Sequence, residues 1–483
     1  MYLGLDLGTS GLKVILTDVA GRVLDTVEMH YANPHPQQGW SEQDPADWVT
    51  ACGAALDALH TRNPDAVAAL RGIGLSGQMH GATILDAADQ VLRPCILWND
   101  TRAAAQAAWL DAQPGIHAIT GNIVFPGFTA PKLLWLKEHE PETFEKVAKV
   151  LLPKDYLRLW LTGEHVGDMS DSAGTSWLDV GARDWSDVAL SAGDMRRDQM
   201  PALCEGTAVS GHLRDALRQR WGIAGPVVVA GGGGDNAAAA CGAGCFAEGQ
   251  GFVSLGTSGV LLAAKDRFTP DAESAVHTFC HAVPDRWYQM GVILAATDCM
   301  NWLSRQLGQT PADLTGALPD HISGPSTLTF LPYLSGERTP HNNAQVRGAF
   351  VGLDIAHTPV DLTQAVVEGV SFALRDCLAA LNGTGTDLSA VIAMGGGARS
   401  RYWLETLATV LNLPLSIPAG GEFGAALGAA RLGIAADTGA PVAEIMTQPA
   451  IAQTIDPRAD LQDRYAAGWE RYRALYPALA GTA

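Results

Sequence analysis

A chain of 483 residues is too long for one hydrophobic core, and a composition 47% hydrophobic and 17% charged excludes a disordered chain. Its 51 acidic against 32 basic side chains leave a formal charge of −19, a field that repels nucleic acid and anionic membrane and excludes both as expected partners. No uncharged apolar run reaches the roughly 20 residues of a membrane span. The 8 cysteines are scattered without paired metal-ligand spacing and no basic leader opens the chain, so a cytoplasmic protein with reduced thiols is expected.

Taken in chain order, Tyr2 to Leu5 reads as a strand, Leu7-Gly8-Thr9-Ser10-Gly11 as a tight turn, and Leu12 to Leu16 as a second strand. Asp44-Pro45 then opens a helix, with Asp as N-cap, Pro at the first position, and Trp48, Leu56 and Leu59 on one face. Val227 to Ala230 is a buried strand that runs into Gly231 to Gly234, Asp235 and Asn236, followed by an alanine-rich helix. About half the chain after its first occurrence, the pentad recurs letter for letter as Leu255-Gly256-Thr257-Ser258-Gly259, again between two apolar runs. Val391 to Met394 leads into Gly395-Gly396-Gly397-Ala398-Arg399-Ser400 and a helix with Trp403, Leu404, Leu407 and Leu411 on its apolar side. Beyond about residue 455, Tyr465, Trp469, Tyr472 and Leu475 mark a last helix whose docking face is not readable. A repeat at this spacing indicates a duplicated domain and not a solenoid. Two related α/β domains are expected, 1–245 and 246–483, the second ending in the helical tail.

Hairpin tips of Gly, Thr and Ser can clamp a polyphosphate from both sides: glycines admit the anion to the backbone amides and hydroxyls add donors. Thr9, Ser10, Gly256, Thr257 and Ser258 are the candidates. Asp6 stands beside the first tip, where a carboxylate makes sense if it holds Mg²⁺ through water; a plain turn aspartate is the competing reading. The turn from Gly395 to Ser400 can offer flat backbone to adenine and ribose. Asp235 ends a glycine-rich turn at the carboxyl end of a strand, where α/β proteins place their chemistry. Phosphoryl transfer to an alcohol needs an acceptor for the hydroxyl proton, and Asp235 is the expected general base; the bland alternative is a helix cap. Lys13 reads equally well as a phosphate ligand or as a solvated charge, and Glu337 and Arg338 as an ion pair or as site residues.

The two pentads and the Gly-Gly-Gly-Ala-Arg turn resemble the actin-like ATPase superfamily and, more narrowly, the FGGY carbohydrate kinases. Residues from Gly127 to His139 are similar to that family's first signature. Gly348 to Leu353, followed by Asp361-Leu362 and by Ala365 to Glu368, is similar to the second. The resemblance covers residues 1 to about 435 and implies two actin-like (ribonuclease H-like) α/β domains with a catalytic cleft between them, using ATP and Mg²⁺. Within the family, Ser76 to Ala82, Ile96 to Asp100, Leu152 to Leu157 and Phe330 to Pro340 resemble the members that phosphorylate D-xylulose. That likeness implies that Met79 and His80 contact the sugar, that Asn236 lies beside it, that Trp98 lines its site and that Asp235 is the base. It implies nucleotide contacts at Thr257, Gly396, Gly397 and Ser400, with Asp298 and Trp302 in a nearby segment. An extra glycine in the run Gly231 to Gly234 departs from the family pattern. The expected reaction is ATP-dependent phosphorylation of D-xylulose, with the sugar mainly on the N-terminal half, ATP mainly on the C-terminal half, and cleft closure excluding water. A homodimer is the family-level expectation. The alternatives are another acceptor (ribulose, xylitol, glycerol or gluconate) and a sugar-independent actin-like ATPase. A glycosidase would leave the duplicated phosphate loops unexplained.

Overall fold

The computed structural model describes residues 1–420 and 424–481. Strands β1 (Tyr2–Leu7) and β2 (Gly11–Thr17) form the expected hairpin, and β3 (Val23–His30) continues it antiparallel. Helix α1 (Pro45–Arg62) crosses to β4 (Gly72–Gly77), which lies parallel to β1. The Asp44 carboxylate accepts from the Ala46 N–H, Pro45 fills the first turn, and Trp48, Leu56 and Leu59 are buried, as the sequence dictates. Helices α2 (Thr129–His139), α3 (Pro153–Thr162) and the single-turn α4 (Met169–Ser172) precede β5 (Val209–His212), β6 (Val228–Ala230) and the two-residue β7 (Gly233–Gly234). The first sheet runs β5-β6-β4-β1-β2-β3, with β7 also on β4.

Helix α5 (Asp235–Ala243) leads to the second sheet, which opens with the hairpin β8 (Gly251–Leu255) and β9 (Gly259–Lys265). It adds β10 (His277–Cys280) and β11 (Trp287–Ile293), then helices α6 (Thr297–Leu307) and α7 (Pro359–Gly383). Strand β12 (Val391–Met394), helix α8 (Arg401–Leu411), β13 (Leu415–Pro418), helix α9 (Ala425–Thr438), β14 (Ile451–Ile455) and helix α10 (Gln462–Leu479) complete the chain. The order is β10-β11-β9-β8-β12-β13-β14. Each sheet is thus a hairpin with a third antiparallel strand on one side, to which the second sheet adds β10, and two parallel strands with an antiparallel edge on the other. The duplication legible in the pentads extends to the whole sheet.

The alternation of β1 sets the layers. Leu3, Leu5 and Leu7 point into a core shared with α1, while Gly4 and Asp6 face the opposite side. Helix α9 lies on that opposite side so closely that a Cβ on Gly74 would sit 1.7 Å from the Ala429 carbonyl oxygen. A Cβ on Gly428 would sit 1.7 Å from the carbonyl of Ala238, where α9 meets α5. Only small residues permit two helices and a sheet to pack backbone on backbone, which is why α5 and α9 are alanine-glycine segments. The two halves exchange these helices: α9, from late in the chain, covers the first sheet, while Ala237, Ala240 and Cys241 of α5 share a core with Phe252, Leu262 and Met290 of the second. Helix α10 docks on the second half through a Tyr333–Tyr472 hydroxyl pair at 2.9 Å and a Trp469 indole that donates to Asp376 at 2.8 Å. All eight cysteines are free thiols, seven of them buried. No described helix is long and apolar enough to cross a membrane.

Candidate active site

The ends of β1, β4 and β7 meet at the mouth of the cleft between the sheets. Asp6 pairs with Ser76 across β1–β4, and Gly233 pairs with the same Ser76 across β4–β7. At the ordinary strand spacing this sets the Asp6 and Gly233 backbones roughly 10 Å apart, with Asp235 two residues further on. Their side chains face one another closely enough that the Asp6 charge, after burial, is a cause of the raised pKa of Asp235, which reaches about 6. Asp6 is itself pushed to about 6 by burial, opposed by the neighbouring Ser76 hydroxyl and by Lys13. Lys13 sits opposite Asp6 on β2 and ion-pairs with Glu28 at 3.3 Å, so its charge is shared outward. Asp235 Oδ1 accepts from the backbone N–H of Asn236 at 2.7 Å and from its amide at 2.9 Å, and Oδ2 has no hydrogen bond among the described residues.

The sugar-side candidates follow β4 directly. Met79 is buried against Gly234, where an added Cβ would lie 2.9 Å from its sulfur, so it walls the catalytic turn. His80 adopts a left-handed φ of 69°, closing a tight turn in which the Gly81 N–H meets the Met79 carbonyl at 2.9 Å. Its Nδ1 is 2.6 Å from the Gly174 carbonyl, so Nδ1 carries the proton and Nε2 keeps a lone pair. Burial drives the imidazole pKa down to about 3, and the ring stacks on Phe128 at 4.4 Å. The strained backbone at His80 is held from behind: its carbonyl accepts from the buried Lys132 ammonium at 2.7 Å and from Thr129 at 3.1 Å.

The first pentad is tied down. Trp48 Nε1–H can only donate, and it donates to Gln43 Oε1, which fixes the Gln43 amide. Gln78 Nε2 donates to the same oxygen, so Gln78 Oε1 faces Thr9 and accepts its hydroxyl proton at 3.0 Å. The indole of the half-exposed Trp98 then donates to Thr9 Oγ1 at 2.9 Å. The Thr9 hydroxyl, expected to serve phosphate, directs its one proton to Gln78 here, and the loop amides and the exposed Ser10 hydroxyl are the other donors of this tip. Trp98 and Thr9, expected at different substrates, are brought into contact.

The second pentad differs. Thr257 and Ser258 are exposed, with their hydroxyls unengaged among the described residues, while the Gly256 and Thr257 carbonyls take the Thr297 and Ala296 N–H groups at 2.9 and 2.8 Å. This stitches the loop to the start of α6, whose second residue is Asp298. Beside it opens a cavity of about 910 Å³ lined by Thr297, Met300 and Asn301 of α6, by Gly396, Gly397 and Ser400, and by Tyr402 and Trp403 of α8. Ser400 caps α8 by accepting from the Trp403 N–H at 3.3 Å. Trp302, expected on the nucleotide side, stacks its ring on Phe330 and Phe350 against the second core, while Thr297, Met300 and Asn301 line the cavity.

Sequence reasoning left out Gln78 and Lys132 and left Arg338 open between two roles; its guanidinium lies over Phe125 at 4.5 Å and beside His277 at 3.4 Å. Glu337 and Arg338 do not form a side-chain ion pair. Glu337 instead caps the Leu294 and Arg338 backbone N–H groups, and burial raises its pKa to about 8. Lys132 carried a signal, a lysine inside an otherwise apolar helix face; Gln78 carried none beyond its place just after β4.

Duplicated α/β halves, each presenting a Gly-Thr-Ser hairpin tip to a cleft with two facing carboxyls and a nucleotide-sized cavity, define an actin-like phosphotransferase. Residues 1–242 match the N-terminal domain and residues 251–436 the C-terminal domain of the FGGY family of carbohydrate kinases. The chain belongs to this family and is an ATP-dependent carbohydrate kinase. It is 48% identical to the xylulose kinase of Escherichia coli K12, over 99% of each chain, and 50% identical to that of Klebsiella pneumoniae, over 89% of each. Among solved structures it superposes with a TM-score of 0.99 on a xyloylose kinase from Brucella ovis, 55% identical and covered fully in both chains.

Proposed function

We propose that this enzyme transfers the γ-phosphoryl group of ATP to the terminal hydroxyl of D-xylulose, giving D-xylulose 5-phosphate and ADP. The observation that carries the chemistry is the Asp235 carboxyl at the end of the glycine turn, with a pKa of about 6 and Asp6 facing it. Asp235 takes the acceptor hydroxyl's proton as its oxygen bonds to the γ-phosphorus, and the β,γ-bridging oxygen leaves with ADP. A base poised near 6 is ionised at neutral pH yet basic enough to accept a proton. Full-length identity to xylulose kinases supports the acceptor. Met79 and Trp98 form its walls, Asn236 lies beside it, and neutral His80 offers the Nε2 lone pair to a sugar hydroxyl.

The nucleotide is read on the second half, with its phosphates at Gly256, Thr257 and Ser258, opposite the amides of Thr9 and Ser10, and its base along Gly396, Gly397 and Ser400. Among the described residues no three His, Cys, Asp or Glu side chains converge as a metal cage. Mg²⁺ is commonly held by one carboxylate, water and substrate phosphates. Asp6 would hold it: a raised, partly buried carboxyl near a second acid is a site short of positive charge. Bound there, the ion would offset charge on the phosphates.

Division near residue 245, a homodimer and a cytoplasmic location complete the reading; they rest on the repeat, on the family resemblance and on the free thiols, and sedimentation tests the dimer. The reaction is tested by ADP release from Mg-ATP across D-xylulose, D-ribulose, L-ribulose, xylitol, glycerol and gluconate. D-xylulose is expected to give the highest kcat/KM. A higher value for another acceptor would keep the kinase and remove D-xylulose.

A further inference from the structure

Four consecutive glycines precede the catalytic aspartate. Such a run has no side chains to hold it and more backbone freedom than any other tetrapeptide, and Gly232 adopts a left-handed φ of 74°. The precise placement of Asp235 must come from outside the turn. We propose that Ser170 is a positioning residue for Asp235, the final member of a buried clamp that begins at Lys154 and Arg158 of α3. The inference rests on the reading of Asp235 as the base.

The clamp grips both ends of the turn. At the entry, Arg158 donates to the Ala230 carbonyl at 2.6 Å and to the Gly231 carbonyl. At the exit, the Gly234 N–H, one residue before Asp235, donates to Ser170 Oγ at 3.1 Å. Ser170 is oriented in turn: its hydroxyl and its backbone N–H both donate to Asp168 Oδ2, so its lone pairs face Gly234. Asp168 Oδ1 is held by the Lys154 ammonium at 2.7 Å, which also meets Asp155 at 2.6 Å and Asp171 at 3.0 Å. All of these side chains are fully buried.

A buried ionic cluster of this size is not an economical way to fill a core, since apolar side chains of the same volume give equal or greater stability. What apolar side chains cannot do is hold a carbonyl and an amide of a glycine turn at fixed points. The sequence carries the same message. Lys154 and Arg158 stand four apart on α3, which places two cations on one helix face, aimed at the back of the site and not at water. Met79 and the Ser170 clamp press on the turn from opposite ends of the same peptide unit, because an added Cβ would meet the Met79 sulfur at Gly234 and Ser170 Oγ at Gly233. Ser170 is separated from the substrates by that turn, so it acts on alignment and not on binding.

The test compares Ser170→Ala and Asp235→Ala with the parent in the full-length enzyme. It reads kcat, KM for D-xylulose and for ATP, and thermal unfolding. Ser170→Ala removes one oxygen and no volume the core needs. It is expected to lower kcat by about 10- to 100-fold while each KM stays within about twofold, with unfolding still cooperative. A parental kcat in Ser170→Ala, alongside an inactive Asp235→Ala, overturns the clamp and leaves the base in place. A kcat loss matched by a rise in KM for ATP, or by loss of cooperative unfolding, also overturns it by making Ser170 merely structural. Near-parental turnover in Asp235→Ala removes the base itself, and with it anything for Ser170 to position.

Discussion

Replacing Asp235 by Asn should make the protein more stable as it abolishes turnover. In the folded chain burial and the Asp6 charge raise the carboxyl from 3.8 to about 6. The folded state therefore binds this proton more tightly than the unfolded state, and stability falls as pH rises from 3.8 through about 6. Above that window the cost is fully present. At 1.36 kcal/mol per pH unit it is about 3 kcal/mol, to order of magnitude. Asn keeps an oxygen for the Asn236 N–H that Asp235 now accepts at 2.7 Å and removes only the charge. Thermal unfolding in magnesium-free buffer with a chelator should give Asp235→Asn a Tm several degrees above the parent at pH 8. At pH 5 the parental carboxyl is mostly protonated in the folded state, and the gap should shrink to roughly half. A mutant no more stable than the parent at pH 8, or a gap constant with pH, would refute the argument that Asp235 is held against its own solvation.

Because the Asp6 charge helps raise Asp235, Asp6→Asn should shift the acid limb of the kcat/KM profile to lower pH while lowering kcat; an unmoved limb would mean the two carboxyls do not sense one another. Lys132→Met keeps the volume of a buried side chain but loses the donor to the His80 carbonyl, so KM for the sugar should rise about tenfold with KM for ATP unchanged. Gly396→Val should fold normally, because a Cβ there meets nothing within 4 Å, yet raise KM for ATP by filling the cavity. Gly395→Ala should instead destabilise the second half, since its φ is 90° and a Cβ would lie 2.6 Å from the Leu255 carbonyl; unfolding curves of the two variants separate the cases.

Local chemistry made much of this molecule legible in its sequence. The two hairpins, the capped α1, the strand-turn-helix at Asp235 and the one at Gly395 all fell where turn residues and apolar periodicity put them. What the residues could not reveal depends on the third dimension. The helix exchange of α5 and α9 needs knowledge of which sheet each covers, although their alanine-glycine composition marks them for close packing. The identical pentads were read as equivalent, yet Gln78 and Trp98 spend the Thr9 hydroxyl while Thr257 stays open, a difference imposed by neighbours distant in sequence. Trp302 was assigned by proximity to the nucleotide segment, but one helix turn decides between core and cavity. Lys154 and Arg158 are plain in the sequence as two cations four residues apart, but their target, the back of the glycine turn, is not.

The most direct test of the central claim is a single-turnover reaction of enzyme-bound γ-labelled ATP with D-xylulose, quenched and resolved into sugar phosphate and inorganic phosphate. The parent should place nearly all the label on the sugar, and Asp235→Ala should bind both substrates and transfer label about 10²- to 10⁴-fold more slowly. Rapid labelling of the sugar by Asp235→Ala, or label released to water at the same rate with and without D-xylulose, would contradict the account.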